Sequence, residues 1–363
     1  MRLVGIDQVK NGELLGKTLY DLDGRRLLSV GVGITPSILQ KLHEKGITSV
    51  YIEDEFSEGI EINDIISDDT KNLAKNTVRD EMHRLSQKKE IDCSAVGKVV
   101  DNILDEILSQ KTDLMSFKDI RLNSEKYFAH AVNVCVMATA LGVKLSLPPM
   151  KVKSIALGAI LHDMGKALLP ASIYNKETPL TKAEEHEYKK HPILGYNIIK
   201  DSLDISATTK VAVLMHHENI NGSGYPMGLG GDKIHYSAKV IAVCNAYDNS
   251  INDKKYKNVL QTTDAIEYLV GSSGHLFDKS IVDTFIHVIP VYVEGSIVLL
   301  SNGSFAIVVK NNPISLTRPV VRVLYNPKTK TRYSKDYQLD LGQELSIKIM
   351  REIVVDINEI IGS

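Results

Sequence analysis

Nine of the eleven histidines lie between His130 and His287, and several of them end an apolar run. Ile155 to Leu161 runs into His162-Asp163, and Val211 to Met215 runs into His216-His217-Glu218. Val240 to Cys244 runs into Asn245, with Asp248 three residues on. His191 precedes Pro192 after a charged helix that opens on Thr181-Lys-Ala-Glu184, a capping-box pattern. His130 shares a helical face with Tyr127, Val134, Ala138 and Leu141, so it points inward. Taken singly, each site has a plain structural reading: a buried imidazole bonded to a neighbouring carboxylate. Together, imidazole nitrogens and a carboxylate suit iron, manganese or zinc. Five histidines and Asp163 exceed the ligand set of one tetrahedral zinc, so two adjacent metals are expected.

Two further features belong to the same chemistry. Lys166 places a cation three residues beyond Asp163. The loop from Asn219 to Gly231 is rich in glycine, which permits positive φ and close approach of backbone to a ligand. Within it Tyr225 and Pro226 add stacking surface, and no Walker lysine pattern is present. The plain alternative for this loop is a surface connection. No Ser-His-Asp or Cys-His pairing occurs at matching positions, so a covalent enzyme intermediate is not required.

The elements that must position these residues divide the 363-residue chain into four expected segments. Residues 1–58 read as a small α+β module, with strands at Thr18–Tyr20, Arg26–Val32 and Ser49–Ile52 around a helix that starts at Thr35-Pro36 and closes at Gly46. Residues 59–118 read as a helical connector, with residues 70–118 expected to pair with a second copy of the chain. Residues 119–290 read as helical. Residues 291–363 switch to β-branched runs, with Asn302-Gly303 as a hairpin turn between Ser296–Leu300 and Phe305–Lys310. A third run spans Val320–Tyr325, and Gln343–Ile361 closes the chain as strand or helix. The fold class is therefore mainly α, flanked by a small N-terminal α+β module and a small C-terminal all-β module.

Composition bounds the partners. Hydrophobic residues make up 43% and charged residues 24%, an ordinary globular balance. The 43 basic and 45 acidic side chains leave a formal −2, so no overall field draws in a nucleic-acid duplex or an anionic membrane. The basic stretch Asn326–Lys335 is short and reads as a solvated loop. Three widely spaced cysteines without a CxxC pair fit a reducing compartment. No secretory pattern and no apolar run of spanning length appears, and the cytoplasm is the expected location, without membrane insertion.

Read in order, the motifs resemble the HD-GYP family, a branch of the HD-domain metal-dependent phosphohydrolases. The resemblance covers about Asp119 to Ile289. It rests on Tyr127-x-x-His130, Leu161-His162-Asp163-Met-Gly165-Lys166, Lys190-His191-Pro192-x-x-Gly195, His216-His217-Glu218, Gly222-x-Gly224-Tyr225-Pro226, Tyr247-Asp248 and Gly274-x-x-Phe277-Asp278. It implies an HD-domain helical bundle, two divalent metals, iron or manganese, and hydrolysis of cyclic di-GMP to the linear dinucleotide or onward to GMP. By the same resemblance His130, His162, Asp163, His191, His216, His217 and Asn245 are the metal ligands, with Asp163 bridging. Asp163 and Lys166 are the catalytic pair, through attack at phosphorus by hydroxide formed on the metals. Lys166, Gly222, Gly224, Tyr225, Pro226, Asp248, Lys254 and Lys257 are the substrate-binding set.

Three departures bear on these expectations. Asn245 stands where the family usually has Asp, which removes one negative charge from a site for two cations. Lys126 stands where three-metal members carry Glu, so two metals are expected rather than three. The basic stretch after Asp248 carries lysines at 254 and 257 rather than arginine, giving point charges without a bidentate fork. The alternatives are a catalytically weak or inactive cyclic di-GMP receptor, motivated by Asn245, and an HD-type hydrolase of another nucleotide.

Overall fold

The computed structural model describes residues 1–20, 25–45, 47, 49–60, 62, 64–109, 126–176, 178–252, 262–312, 314–326, 328–334 and 337–353. The architecture is mainly helical, with small N-terminal sheets and a C-terminal all-β sheet, as expected. Contacts group the chain into two units: residues 1–64 with 289–363, and residues 65–111 with 126–288.

In the first unit, β1 (Arg2–Gly5), β2 (Leu14–Leu15), β3 (Leu19–Tyr20), β4 (Arg26–Leu28), α1 (Pro36–Glu44) and β5 (Ser49–Glu53) build the N-terminal part. β5 lies between β1 and β2, both antiparallel to it. Thr35 caps α1 by accepting the Ile38 amide, and Pro36 fits the first turn because its missing N–H has no helical partner there. Apolar side chains from both layers, among them Ile34, Leu42, Val50 and Ile52, form one core. The strand expected over 26–32 stops at Leu28, while residues 21–24 and Gly46 lie outside the described residues.

The C-terminal part of that unit holds β6 (Ile297–Leu300), β7 (Phe305–Lys310), β8 (Val320–Asn326), β9 (Thr331–Arg332), β10 (Gln338–Asp340) and β11 (Ile349–Ile353). They form a sheet of order β10-β8-β7-β6-β11, with β9 added to β8. The Asn302-Gly303 turn joins β6 to β7, and Asn302 Oδ1 accepts the Ser304 amide. Within the segment expected to close the chain as strand or helix, Ile349–Ile353 is a strand, and residues beyond 353 lie outside the description. Ile60 packs on Ile297, Ile307 and Leu324, and the buried Arg322 guanidinium donates to the carbonyls of Phe56 and Glu58.

The second unit begins with α2 (Asp68–Ser86) and α3 (Cys93–Ser109), the helices of the segment read as a connector. Ser67 caps α2, and the Glu106 carboxylate of α3 accepts from both the Ser67 amide and the Thr70 hydroxyl. Both helices pack onto the bundle: α2 onto α4 (Lys126–Lys144), and α3 onto α5 (Pro149–Leu161). α5 is buried on every side from Ile155 to Leu161, which explains its unbroken apolar run. A 3-10 turn over Met164–Leu168 follows, then α6 (Ala171–Tyr174), α7 (Lys182–Tyr188) and α8 (His191–Ile199). The capping box forms between Thr181 and Glu184. α9 (Ala207–Met215), α10 (Tyr236–Asn252), α11 (Thr262–Gly271) and α12 (Lys279–Phe285) complete the unit. Among the described residues no helix is long and apolar enough to cross a membrane.

Candidate metal centre and cavity

Four helices deliver the ligand candidates to one point. His130 sits on α4, His162 and Asp163 follow the end of α5, His191 opens α8, and His216 and His217 follow α9. Asp163 lies at the centre. Its Oδ2 is 3.5 Å from His130 Nε2 and 3.4 Å from His162 Nε2. Its Oδ1 is 3.3 Å from His191 Nε2 and 3.9 Å from His216 Nε2. Two ligand sets result, each with its donor atoms within 4.8 Å of one another: His130, His162 and Asp163, and Asp163, His191, His216 and His217.

The orientation of the rings follows from their second nitrogens. The Nδ1 atoms of His162, His191 and His216 donate to the carbonyls of Ala159, Tyr188 and Val213, each three residues back, at 2.6, 2.8 and 2.7 Å. A carbonyl only accepts, so the proton is on Nδ1 and the Nε2 lone pair faces the centre. His130 is fixed the same way by Asp248, whose Oδ2 accepts from Nδ1 at 2.7 Å while Oδ1 accepts from Asn133. Burial, helped by the Lys166 charge, lowers the His191 pKa to about 3. Burial and the neighbouring imidazoles hold His216 and His217 well below the usual range as well.

This donor set fits divalent cations. His130 Nε2 faces His162 Nε2 at 3.2 Å, and His191 Nε2 faces His216 Nε2 at 3.3 Å, although both atoms of each pair present lone pairs once Nδ1 is committed. Asp163 Oδ1 and His217 Nε2 are buried without a hydrogen-bond partner. Divalent cations held by these atoms would satisfy every one of these groups, whereas a protein interior without them leaves the groups repelling or unpaired.

Lys166 completes the electrostatics. It is buried, and its Nζ donates to Asp163 Oδ2 at 2.5 Å. Burial alone would raise the Asp163 pKa, but the electrostatic pull of the His162 ring and of the Lys166 ammonium outweighs it and holds the carboxyl well below the usual range. Burial likewise opposes the Lys166 charge, and Asp163 and Tyr188 overcome it, so Lys166 stays protonated.

A cavity of about 500 Å³ opens beside the centre, lined in part by His216, His217, Gly224, Tyr225 and Asn245. The Tyr225 ring stacks on His217 with centroids 4.5 Å apart. Gly224 and Tyr225 thus line the cavity, whereas Gly222 and Pro226 shape the turn behind it; Gly222 has φ +78°, a conformation that favours glycine. Asn245 is buried, and its Oδ1 accepts from Asn249 Nδ2 at 2.8 Å. Asp248 departs from expectation: it is buried behind His130 and bonded to that ring, which makes it a support for a ligand rather than a group lining the cavity. Lys254 and Lys257 lie outside the described residues, as do the side chains of Lys126 and Tyr127.

Sequence reasoning missed three contributors. Glu218 is buried, and its two carboxylate oxygens accept the amides of Met227 and Leu229 at 2.7 and 2.8 Å, anchoring the glycine loop to the ligand pair. Asn133 orients Asp248, and Tyr188 flanks Lys166, with Nζ 5.2 Å from the ring centroid. Asn133 follows His130 by three residues, the helical spacing that could have signalled its place. Glu218 was visible only as the third residue of the His216-His217-Glu218 run.

Residues 102–281 match the HD domain family, and residues 297–362 match the KOW domain associated with HD domain. The cyclic di-GMP phosphodiesterase PA4108 of Pseudomonas aeruginosa is 32% identical over 253 residues, covering 70% of this chain and 61% of that protein. The cyclic di-GMP phosphodiesterase PdeB of Borreliella burgdorferi is 31% identical over 200 residues, covering 54% of this chain and 52% of that protein. The chain thus spans between half and two thirds of these relatives' lengths. The solved structure of Bd1817, a HDG"Y"P protein from Bdellovibrio bacteriovorus, superposes with a TM-score of 0.52 at 18% identity, covering 78% of this chain and 97% of that one, a likeness of fold.

Proposed function

We propose that the chain, whose residues 102–281 match the HD domain family, is a metal-dependent phosphodiesterase of the HD-GYP branch, acting on cyclic di-GMP. The observation that carries this reading is Asp163, buried and shared by two histidine sets beside an open cavity. The naming of its relatives as cyclic di-GMP phosphodiesterases supports the substrate. When bound, two divalent ions, iron or manganese, supply Lewis-acid charge and an acidified water. His130 and His162 with Asp163 would hold one ion, and His191, His216 and His217 with Asp163 would hold the other. Asp163 remains ionised because Lys166 donates to it. The Lys166 charge also stands next to the oxygens that gain charge as phosphorus is attacked. Tyr225, backed by His217, gives the nucleotide an aromatic wall.

The double change His162→Ala/Asp163→Ala tests this. Metal content and turnover of cyclic di-GMP are expected to vanish together, and turnover that survives overturns the reading. A second reading, a receptor that binds without cutting, is favoured by Asn245, whose carbonyl is engaged by Asn249. Purified protein loaded with iron or manganese under anaerobic conditions decides between them: binding without product supports the receptor. The cytoplasm is the proposed location. A homodimer is proposed through α2 and α3, which leave Leu73 and Leu108 exposed; a monomer in sedimentation overturns it.

A further inference from the structure

Resting on that reading, we propose that Lys189 holds the phosphodiester of the substrate that is not being cut. A cyclic dinucleotide carries two phosphodiester anions. Only one can occupy the Asp163 centre at a time, and the other needs a counter-charge elsewhere in the same cavity. Among the described residues lining that cavity, Lys189 is the lysine, and no carboxylate joins it. The polar lining otherwise consists of neutral groups, including Asn219, Ser223, Asn249 and Ser250. Among the described residues, a wall of this kind favours an anion and offers it Lys189.

Lys189 is also positioned in line with the reaction centre. Its Nζ lies 5.6 Å from the centroid of the Tyr225 ring, and that ring stacks on His217 at 4.5 Å with an interplanar angle of 17°. Lys189, Tyr225 and His217 therefore form a row that ends at the ligand set. The neighbouring lysines are differently committed. Lys166 is buried against Asp163, and Lys190 pairs with Glu187 and does not line the cavity. Lys189 pairs with Glu185, one helical turn back, at 2.7 Å, with 45% and 52% of the two side chains exposed. An exposed pair of this kind is weak. A phosphodiester held in the cavity can displace Glu185, and the ammonium needs only rotations of its own stem to reach it. The contact is to phosphate, not base, so it serves any cyclic dinucleotide equally.

Steady-state kinetics on the manganese-loaded full chain, with cyclic di-GMP and cyclic GMP-AMP as substrates, test the assignment. Lys189→Gln is expected to raise KM about tenfold, equivalent to about 1.4 kcal/mol, by the same factor for both nucleotides where both are turned over, with kcat within about twofold because the contact is made in ground and transition states alike. Lys189→Arg keeps the charge and is expected to restore KM to within about threefold of wild type, at most about half of that free energy. Glu185→Gln removes the competitor and is expected to lower KM. The salt dependence of kcat/KM is expected to flatten in Lys189→Gln. Metal content measured on each variant separates loss of nucleotide binding from loss of the centre. An unchanged KM in Lys189→Gln, or a fall in kcat at constant KM, overturns the role of Lys189 while leaving the phosphodiesterase reading intact. A wild-type protein that neither binds nor cuts either nucleotide overturns both.

Discussion

His130 and Asp248, 118 positions apart in the chain, meet inside the bundle through a 2.7 Å bond from Nδ1 to Oδ2. The bond fixes which nitrogen of His130 is free to coordinate, and Asn133 fixes the carboxylate in turn. Partners behind a ligand typically change metal affinity by ~10–100-fold. Asp248→Asn keeps the shape and removes the charge, so the affinity of the set formed by His130, His162 and Asp163 is expected to fall by about that range. The set formed with His191, His216 and His217 is expected to change less. Metal titration resolving two binding events checks this, and equal affinities in variant and wild type count against it.

Gly165 is where the 3-10 turn after Asp163 meets α8. A Cβ there would lie 2.0 Å from the His191 carbonyl oxygen and 2.5 Å from the Gly195 nitrogen, and both are backbone atoms that cannot rotate away. Gly165→Ala is therefore expected to cost about 3 kcal/mol, at the upper end of overpacking effects. His191 would be displaced with its helix, so metal binding would weaken as well. Gly97, inside α3, has open space at the same position. Gly97→Ala is expected to stabilise by ~0.5–1 kcal/mol through the unfolded chain. Denaturant midpoints of the two variants shifting in opposite directions is the expected result.

The apolar runs that end in His162-Asp163 and His216-His217 made the centre legible before any geometry, because a buried helix end can offer polar side chains only to one another or to a ligand. The strands at 305–310 and 320–326 and the cap at Thr35 were legible for the same local reason: side-chain period and capping chemistry lie within a few residues. The role of Asp248 was not. Its position on α10, one residue beyond Tyr247, fits either face of a crowded site, and only the packing of α10 against α4 aims it at His130. Lys189 was hidden by its neighbours: in a stretch of alternating charges, one lysine looks like the next, and the difference lies in which of them faces Tyr225. The placement of α2 and α3 onto α4 and α5 likewise depends on contacts between distant segments, which spacing within either helix does not encode.

The cysteines give a simple chemical check on the packing of α4 and α10. Burial pushes the Cys135 thiol up to about 12 and drives Cys244 higher still, so neither forms the thiolate that reacts with disulfide reagents. Cys93 is partly exposed. Ellman's reagent is expected to modify one thiol per native chain at pH 8 and three after denaturation. Rapid modification of three thiols in the native protein would contradict the buried placement of Cys135 and Cys244.

Acid sensitivity follows from the uncharged histidines. In the unfolded chain a histidine titrates near ~6.5, whereas burial keeps His191 at about 3 and His216 and His217 well below their usual range. Below about pH 6.5 the unfolded state takes up protons that the folded state refuses, so the unfolded state binds more protons and stability falls as pH drops. The contribution of these groups is fully present above the unfolded value and is lost progressively toward the folded one. Each group can add up to about 1.4 kcal/mol per pH unit to the slope. Urea denaturation of the metal-stripped protein is expected to show a falling midpoint from pH 7 to pH 5. His191→Asn, which cannot titrate, is expected to make that slope shallower, and a midpoint independent of pH across this window would mean that the imidazoles are not held neutral by burial.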